Sequence, residues 1–355
     1  MQIPKCMFVL ASVLTTSLAL AISPNGILSA EPRVVHNTKK GLWEGDPSKQ
    51  LNLATDLEIG KEDGRDNEMF GRIYDIAVNS RGEIYVLDNG FVRVQKYDSA
   101  GAYLHTIGAE GEGPGDFIRP TAITIDERDR LYVADQNAIT MFDSTGAFIR
   151  RFKHGVPGGW VRTVRVTRTN IFVSCFEVLD QKIIHVFDLN SRPVLSFCDP
   201  YAVGQDIDLR IESTYAGGYI DLDSEGIIYY TQMTPYEIRI YSPTEELTAI
   251  VDRDNDFPAP HYEQTEDRIS LDPFTSSTAI IVLGDGKFIN TVSKPPFPGP
   301  PGETIIDLFD SDGVLLLSKR FEENFLPKCV DRTGRLYAAW RTPYPRVVRY
   351  RVCCP

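Results

Sequence analysis

Apolar and polar residues alternate in short runs along most of the chain, and tight turns separate the runs. A period of two residues is typical of a β-strand that buries one of its faces. The segments Ile73–Gly108 and Pro120–Phe152 each show four such runs in the order strand, turn, strand, loop, strand, turn, strand. This pattern predicts a four-stranded antiparallel unit, and no helical pattern interrupts it.

The same unit recurs along the chain. The turn after its third strand recurs at Asp98, Asp143, Asp188, Ser242 and Asp310, at intervals of 45, 45, 54 and 68 residues. A repeat of about 40–50 residues with four strands is typical of a β-propeller, whose blades stand in a ring and cover one another's apolar faces. The predicted blades are approximately 73–108, 120–153, 161–198, 218–252, 278–321, and 325–354 with 51–60.

The last unit supplies only three strands before the chain ends, so its fourth strand must come from elsewhere. Leu51–Gly60 alternates correctly and ends in Ile-Gly, as the outer strand of the first unit does. We therefore predict an all-β fold, a six-bladed β-propeller of four-stranded antiparallel blades. Its ring would be closed by an N-terminal strand that joins the C-terminal blade.

The N-terminal residues have the pattern of an export signal. Lys5 precedes the uncharged run Cys6–Ile22, and Ala19 and Ala21 are small residues at the positions that signal peptidase reads. We predict a signal peptide over 1–21, a flexible segment over 22–42, and the propeller over 43–355. The protein would then be periplasmic or secreted. An uncleaved anchor is the alternative, although the run is short of the roughly 20 residues that a spanning helix needs.

Charge and cysteine content narrow the possible functions. The net charge is −12 and there is no long run of Lys and Arg. A general nucleic-acid binder needs a basic face to neutralise phosphates, so this function is not predicted. No later segment is apolar enough to span a membrane. Signal cleavage would leave five cysteines whose spacing fits no zinc motif and whose disulfide pairing stays open. They are Cys175, Cys198, Cys329, Cys353 and Cys354.

The stretch GPGDFIRPTAITIDERDRLYVADQNAITMFDSTGAFIRRF resembles the NHL repeat, and the whole chain looks like the exported bacterial six-bladed propellers related to it. The resemblance is strong over Ile73–Phe152 and weaker over 153–324. It implies binding of protein, peptide, carbohydrate or RNA. Relatives of the same shape also include lactonases and lyases that hold a metal ion in the central channel, and shape alone does not choose between these functions.

Loop lengths indicate where a partner would bind. Within each unit the links between strands one and two, and between strands three and four, are short, so all of them lie on one face of the ring. Nearly every long link lies on the opposite side, the loop-rich face, and recognition residues are commonly found on such loops. The long links are 60–71, 108–119, 153–161, 199–218, 252–277 and 291–303.

Arginine and aromatic residues near the strand ends of the loop-rich face are candidate ligand-binding residues. Trp, Tyr and Arg commonly anchor interfaces, and Arg pairs well with carboxylates and phosphates. The candidates are Arg72, Arg119, Trp160, Arg162, Gln232, Trp340 and Arg341. In the alternative interpretation, Arg72 and Arg119 brace the ring by bonding to loop carbonyls, and Trp160 and Trp340 plug the mouth of the channel.

Asp88 and Asp135 occupy equivalent positions at the ends of second strands and are the weak candidates for a metal site. The other blades place Cys175, Gln232, Val292 and Trp340 there, which is a poor ligand set for a hard cation. In the NHL-like pattern such an aspartate more often stabilises the adjacent loop. We therefore predict a structural role for both carboxylates, and no metal.

A second acidic pattern lies between the fourth and fifth units. Asp252, Asp254, Asp256 and Glu263 have the spacing of a calcium-binding loop, yet Phe257 replaces the glycine that such a loop needs. We predict a solvated acidic loop and no cofactor. A divalent cation such as calcium is the alternative.

These patterns favour an exported, non-catalytic, monomeric propeller that binds a protein, peptide or glycan on its loop-rich face. No catalytic residue is assigned, and neither nucleic acid nor a membrane is an expected partner. The alternative is a metal-dependent hydrolase, lactonase or lyase with its site at the channel mouth. Such an enzyme would need at least three convergent oxygen or nitrogen ligands there.

Overall fold

The structure is a computed structural model that describes residues 20–22, 28–136, 138–155, 160–176, 180–200, 217–257, 262–264, 269–271, 275–294 and 302–353. Most of the predicted signal peptide lies outside these residues and stays a prediction. The described elements are β-strands and one 3₁₀ turn, Asp66–Glu68. None of the described residues belongs to a helix that is long and apolar enough to cross a membrane.

Each of the first three blades is an antiparallel sheet whose strands follow one another in chain order. Blade 1 has strands Ile73–Val78, Ile84–Asp88, Arg93–Tyr97 and Tyr103–Ile107. Blade 2 has strands Pro120–Ile125, Leu131–Asp135, Ala138–Phe142 and Phe148–Lys153. Blade 3 has strands Thr163–Val166, Asn170–Ser174, Ile184–Asp188 and Pro193–Phe197.

The remaining blades follow the same order, and two of them gain a strand from the N-terminal part of the chain. Blade 4 has Gly218–Leu222, Ile228–Gln232, Ile238–Tyr241, Leu247–Arg253 and, outside them, Arg33–Asn37. Blade 5 has Ser276–Val282, Phe288–Lys294, Glu303–Phe309 and Leu315–Phe321. Blade 6 has Phe325–Val330, Arg335–Trp340, Arg346–Cys353 and Asn52–Ile59. Two short hairpins, Leu20–Ile22 with Leu28–Ala30 and Tyr262–Gln264 with Ile269–Leu271, lie outside the blades.

The first strands of successive blades are neighbours all the way round, and the first strand of blade 6 adjoins that of blade 1. These six strands therefore surround a central channel. Apolar clusters lie between blades, as the burial argument for a ring requires. For example, Ile76 and Val86 of blade 1 pack in one cluster with Leu326 and Tyr337 of blade 6.

Tight turns on the face opposite the loop-rich face are built by an aspartate that accepts backbone hydrogen bonds. The Asp98 carboxylate accepts from the amides of Ala100 and Ala102, both at 2.9 Å, and Gly101 has a φ of 85°. A glycine suits this left-handed position because it has no Cβ. The turn chemistry repeats with the blades, which explains the sequence spacing.

The strand Asn52–Ile59 pairs antiparallel with Arg346–Cys353, with Ile59 opposite Val347 and Asn52 opposite Cys353. The Arg349 guanidinium adds a hydrogen bond of 2.6 Å to the Asp56 carboxylate across this pair. The two distant parts of the chain are thus joined within one blade by backbone and by ionic contacts.

Part of the segment that we expected to be flexible, 22–42, is instead a strand. Arg33–Asn37 pairs parallel with Ala249–Arg253 on the outer edge of blade 4. The Asn37 side chain, which is buried, bonds the carbonyl of Gly313 at 3.0 Å and accepts from the Leu315 amide at 2.7 Å. The physical reason is that an outer edge strand offers unpaired backbone groups, which this segment satisfies.

Candidate functional site

A cavity of about 310 Å³ opens where the first strands of the blades converge on the loop-rich face. All six blades contribute to its wall, through Arg72, Thr121, Arg162, Tyr219, Thr278 and Lys328. Arg341, from the end of the second strand of blade 6, completes the set of charged groups. We call Arg72, Arg162, Lys328 and Arg341 the basic mouth. No carboxylate belongs to the cavity wall in the described part of the chain.

Arg72 is positioned by the buried carboxylate of Asp88. That carboxylate accepts hydrogen bonds from the amides of Gly71 at 3.1 Å, Arg72 at 2.8 Å and Gly90 at 3.2 Å. The two glycines are needed because a Cβ on Gly90 would lie 2.5 Å from the carbonyl carbon of Gly71. The Arg93 guanidinium lies 3.7 Å away as a counter-ion. Asp88 therefore fixes the loop that leads into the first strand.

Asp135 performs the same role in blade 2. Its carboxylate accepts from the amides of Ile118 at 2.8 Å and Arg119 at 2.6 Å, and Arg151 lies 3.8 Å away. Both aspartates use their oxygens on backbone amides instead of pointing them together into the channel. Among the described residues, no group of three or more His, Cys, Asp or Glu side chains could hold a metal ion.

Two neighbouring aromatic rings, each in contact with an arginine, lie along one side of the mouth. The Arg72 guanidinium lies 5.0 Å from the centre of the Tyr74 ring, and the Arg119 guanidinium lies 5.7 Å from the centre of the Trp160 ring. The two ring centres are 6.5 Å apart. Trp160 is 39% exposed, so it keeps a flat apolar surface available beside the cavity. Cation–π contacts at these distances hold the arginines without neutralising them.

The inner channel below the mouth contains paired charges. The Arg165 guanidinium bonds the Asp221 carboxylate at 2.8 Å, and both Arg165 and Lys328 attract the Asp75 carboxylate. Burial nevertheless raises the pKa of Asp75, because it penalises the charged form. A smaller cavity of about 30 Å³ lies at this level and is lined by Asp75, Arg165 and Lys328, among others.

The cations of the mouth perturb one another. Burial lowers the pKa of Lys328, the Asp75 carboxylate raises it, and the positive charge of Arg341 lowers it again. Burial also lowers the pKa of Arg341, and the neighbouring Arg72 guanidinium lowers it further. Shifts in this direction are the expected result of crowding like charges in a partly desolvated place.

Four of the seven candidate residues from the sequence, Arg72, Trp160, Arg162 and Arg341, line this one cavity. A fifth candidate, Arg119, contacts the ring of Trp160.

Gln232 and Trp340 lie elsewhere. Gln232 is fully buried, accepts a hydrogen bond from the Tyr230 hydroxyl at 2.5 Å, and donates one to the carbonyl of Thr234 at 3.3 Å. Trp340 stacks on Phe325 with ring centres 5.5 Å apart and donates to the Tyr350 hydroxyl at 2.9 Å. Trp340 therefore does not plug the channel mouth. Side chains alternate along a strand, so the Trp340 ring packs against Phe325 and Tyr350, whereas the next residue, Arg341, lines the cavity.

Sequence reasoning missed Lys328, Tyr74 and Tyr219 of the cavity wall. Lys328 lies inside the strand Phe325–Val330, and a lone charge in an otherwise apolar inner strand is the signal that could have found it. The tyrosines carry no such signal, since aromatic residues are common in strands of every kind.

The carboxylates of the acidic pattern that begins at Asp252 have a structural role. Asp252 and Asp254 contact the imidazole nitrogens of His36 at 2.6 Å and 3.2 Å, and Asp256 lies 3.0 Å from the Lys39 ammonium. These carboxylates therefore attach the N-terminal segment to blade 4. The side chain of Glu263 lies outside the described part of the structure.

Cys175, Cys198 and Cys329 are thiols in the structure, while the side chains of Cys353 and Cys354 are outside the described residues.

The fold and the channel define the class of the protein: it is a six-bladed β-propeller with antiparallel blades. The model of the family DUF5128, described as a 6-bladed beta-propeller, matches residues 63–191. The protein lin-41 of Caenorhabditis elegans is 40% identical over 63 residues, which is 17% of this chain and 6% of lin-41. The match therefore spans only a small part of that relative's length.

Solved structures show the same fold over most of the chain. A putative exported protein from Bacteroides fragilis is 10% identical, with a TM-score of 0.58 over 90% of this chain and 99% of that one. Streptogramin B lyase is 12% identical, with a TM-score of 0.54 over 85% and 98%. A gluconolactonase from Xanthomonas campestris is 13% identical, with a TM-score of 0.53 over 85% and 100%. At these identities the likeness shows the fold alone.

Proposed function

We propose that this protein is an exported, non-catalytic propeller that binds a partner at the basic mouth on its loop-rich face. The observation that carries the proposal is the convergence of all six blades on one cavity whose wall contains three arginines and an exposed tryptophan. Pockets that combine flat aromatic surfaces with a few convergent polar groups are the usual form of ligand sites. Export is supported by the N-terminal sequence pattern.

The alternative, a metal-dependent hydrolase, lactonase or lyase, is less well supported by this geometry. A divalent cation at the mouth would be repelled by Arg72, Arg162, Lys328 and Arg341, which line the same cavity. The lyase and the lactonase among the structural neighbours share the fold, and their activities belong to those proteins.

Binding to an immobilised panel of neutral glycans, acidic glycans and peptides tests the proposal. The informative variant is Trp160→Ala, which removes an exposed surface of the mouth. The matched control is Arg168→Gln, because Arg168 is an exposed residue of a tight turn on the opposite face and pairs with Glu127. We expect binding to fall in the first variant and to be unchanged in the second.

Two results would contradict the proposal. One is binding that is lost in Arg168→Gln and kept in Trp160→Ala, which would move the interface to the tight-turn face. The other is a stoichiometric, tightly held divalent metal in the purified protein together with hydrolysis of a lactone, which would establish the enzymatic alternative.

A further inference from the structure

The charges of the basic mouth differ from those elsewhere in the propeller. Among the described residues, no carboxylate oxygen lies within ion-pair distance of the Arg72, Arg162 or Arg341 guanidinium. The protein as a whole carries a net charge of −12, so acidic side chains are plentiful. In the described part of the chain, the cavity wall to which all six blades contribute therefore carries positive charge and no carboxylate.

Such crowding costs free energy unless something neutralises it. Like charges a few ångströms apart repel strongly when part of the surrounding water is replaced by protein. The lowered pKa of Arg341, caused by burial and then by the positive charge of Arg72, is consistent with such repulsion. An anion placed between the guanidinium groups would remove the repulsion, and Arg binds carboxylates with two parallel hydrogen bonds.

An independent observation in the same cavity points to a ligand that also carries hydroxyl groups. Thr121 lines the cavity, is 8% exposed, and its hydroxyl has no hydrogen-bond partner among the described residues. Buried hydroxyls are normally bonded, because an unmade hydrogen bond leaves the desolvation cost uncompensated. Ser276, Thr278 and Ser293 add further hydroxyl groups to the wall.

The shape and the aromatic side chains favour a sugar over a peptide. A cavity of about 310 Å³ lies at the lower end of the size range of small-molecule sites, which suits a single sugar residue better than an extended peptide. The exposed Trp160 ring and the neighbouring Tyr74 provide flat apolar surfaces of the kind on which a sugar ring can lie.

We infer that the basic mouth binds an acidic sugar residue, with its carboxylate held by Arg72, Arg162 and Arg341. The Thr121 hydroxyl bonds a hydroxyl group of the sugar, and Trp160 packs against the ring. The inference rests on the proposed binding function and specifies the chemical class of the partner.

Calorimetric titration of the purified protein tests the inference. The probes are oligosaccharides of galacturonate, glucuronate and mannuronate, their neutral counterparts, a sulfated oligosaccharide and a poly-glutamate peptide. We expect binding of at least one uronate probe, with no binding of its neutral counterpart, and an affinity that falls as sodium chloride is added. Arg162→Gln is expected to reduce affinity about tenfold or more, since hydrogen bonds to charged groups are among the strongest.

Further variants separate a binding role from a folding role. Arg162→Lys keeps the charge and should restore part of the affinity, whereas Thr121→Val should weaken sugar binding and leave the salt dependence unchanged. Arg168→Gln, on the opposite face, should bind as the wild type does. Thermal unfolding of each variant checks that the fold is kept.

The outcomes that overturn the inference are distinct from those that overturn the proposed function. Equal binding of neutral and acidic sugars, or equal affinity of Arg162→Gln and the wild type, would refute the carboxylate contact while leaving a glycan-binding propeller. Preference for the sulfated probe or for poly-glutamate over every uronate would refute the acidic-sugar class. If no uronate binds, the inference fails. The proposed function also fails only if, in addition, no glycan or peptide of the immobilised panel shows binding that depends on Trp160.

Discussion

Buried charges inside the blades differ from the charges of the basic mouth in whether they have a partner within the fold. Two buried ions of the described blades have partners: the Asp88 carboxylate accepts hydrogen bonds from backbone amides, and the Arg253 guanidinium lies 3.0 Å from the Asp307 carboxylate. At the mouth, Arg162 and Arg341 face a cavity and have no carboxylate partner in the described structure. Removal of one member of a buried pair leaves the other ion uncompensated and destabilises the fold, whereas ions without partners in an open cavity are available to a ligand. The comparison predicts that the first group controls stability and the second controls binding.

The largest loss of stability is expected when the buried ion pair between Arg253 of blade 4 and Asp307 of blade 5 is broken. Asp307→Ala would leave the Arg253 guanidinium buried without its counter-ion and would also remove the acceptor of the Tyr236 hydroxyl, now at 2.8 Å. The expected loss is about 3–5 kcal/mol in the free energy of unfolding, measured with urea. Asp312→Ala is the control, because its pair with Arg33 is exposed and should be worth less than about 1 kcal/mol. Equal losses in the two variants would contradict the comparison.

A smaller loss of stability is expected when the loop anchors are changed. Asp88→Asn replaces an acceptor oxygen by a donor that faces the amides of Gly71 and Arg72, at a cost of about 1–3 kcal/mol. Hydrogen exchange should show faster opening of those two amides. Asp135→Asn should do the same at Ile118 and Arg119 only. Unchanged exchange at all four amides would show that the aspartates do not anchor the loops.

Removal of the charges of the mouth should affect stability least among these groups. Arg341→Gln relieves repulsion from Arg72 and breaks no ion pair of the described structure, so the free energy of unfolding should stay within about 0.5 kcal/mol of the wild type or rise. The measurement is the same urea titration. A loss as large as that of Asp88→Asn would show that the basic mouth is structural.

The smallest effect concerns the pH dependence of the N-terminal strand. The hydrogen bond and the charge of Asp252 raise the pKa of His36 above its usual value. The raised pKa means that protonated His36 stabilises the attachment below the ordinary histidine pKa of about 6.5, and that this contribution is lost as pH rises through the raised value. Protection of the amides in Arg33–Asn37 should therefore fall above that pH. In His36→Gln, amide protection should not fall with rising pH. Amide protection that instead increases with pH in the wild type would contradict the predicted direction.

The ring could be predicted from sequence because its signals are local. Strand alternation and the aspartate turns, such as Asp98 with Gly101, recur with every blade and need no knowledge of distant contacts. The extra strand Arg33–Asn37 could not be predicted in this way, since a single edge strand carries no repeat and its partner is more than 200 residues away.

The site could be predicted only in part, for the same reason. Arg72 and Arg162 directly precede inner strands, so the repeat alone places them at the channel mouth. Gln232 and Trp340 sit at comparable positions, but one residue of strand register turns them into the protein, and the sequence does not show which way they point. Lys328 lies in the wall of the mouth beside Arg72 because the inner strands of blades 6 and 1 are neighbours in the ring, although the two residues are far apart in sequence.

The most direct measurement compares uronate binding and unfolding free energy in the wild type and in the triple variant Arg72→Gln, Arg162→Gln, Arg341→Gln. We predict that the variant loses binding while its free energy of unfolding is unchanged or higher, because these three cations have no carboxylate partner in the described structure. A variant that binds the uronate as tightly as the wild type, or that unfolds far more easily, would contradict the assignment of the basic mouth to ligand binding.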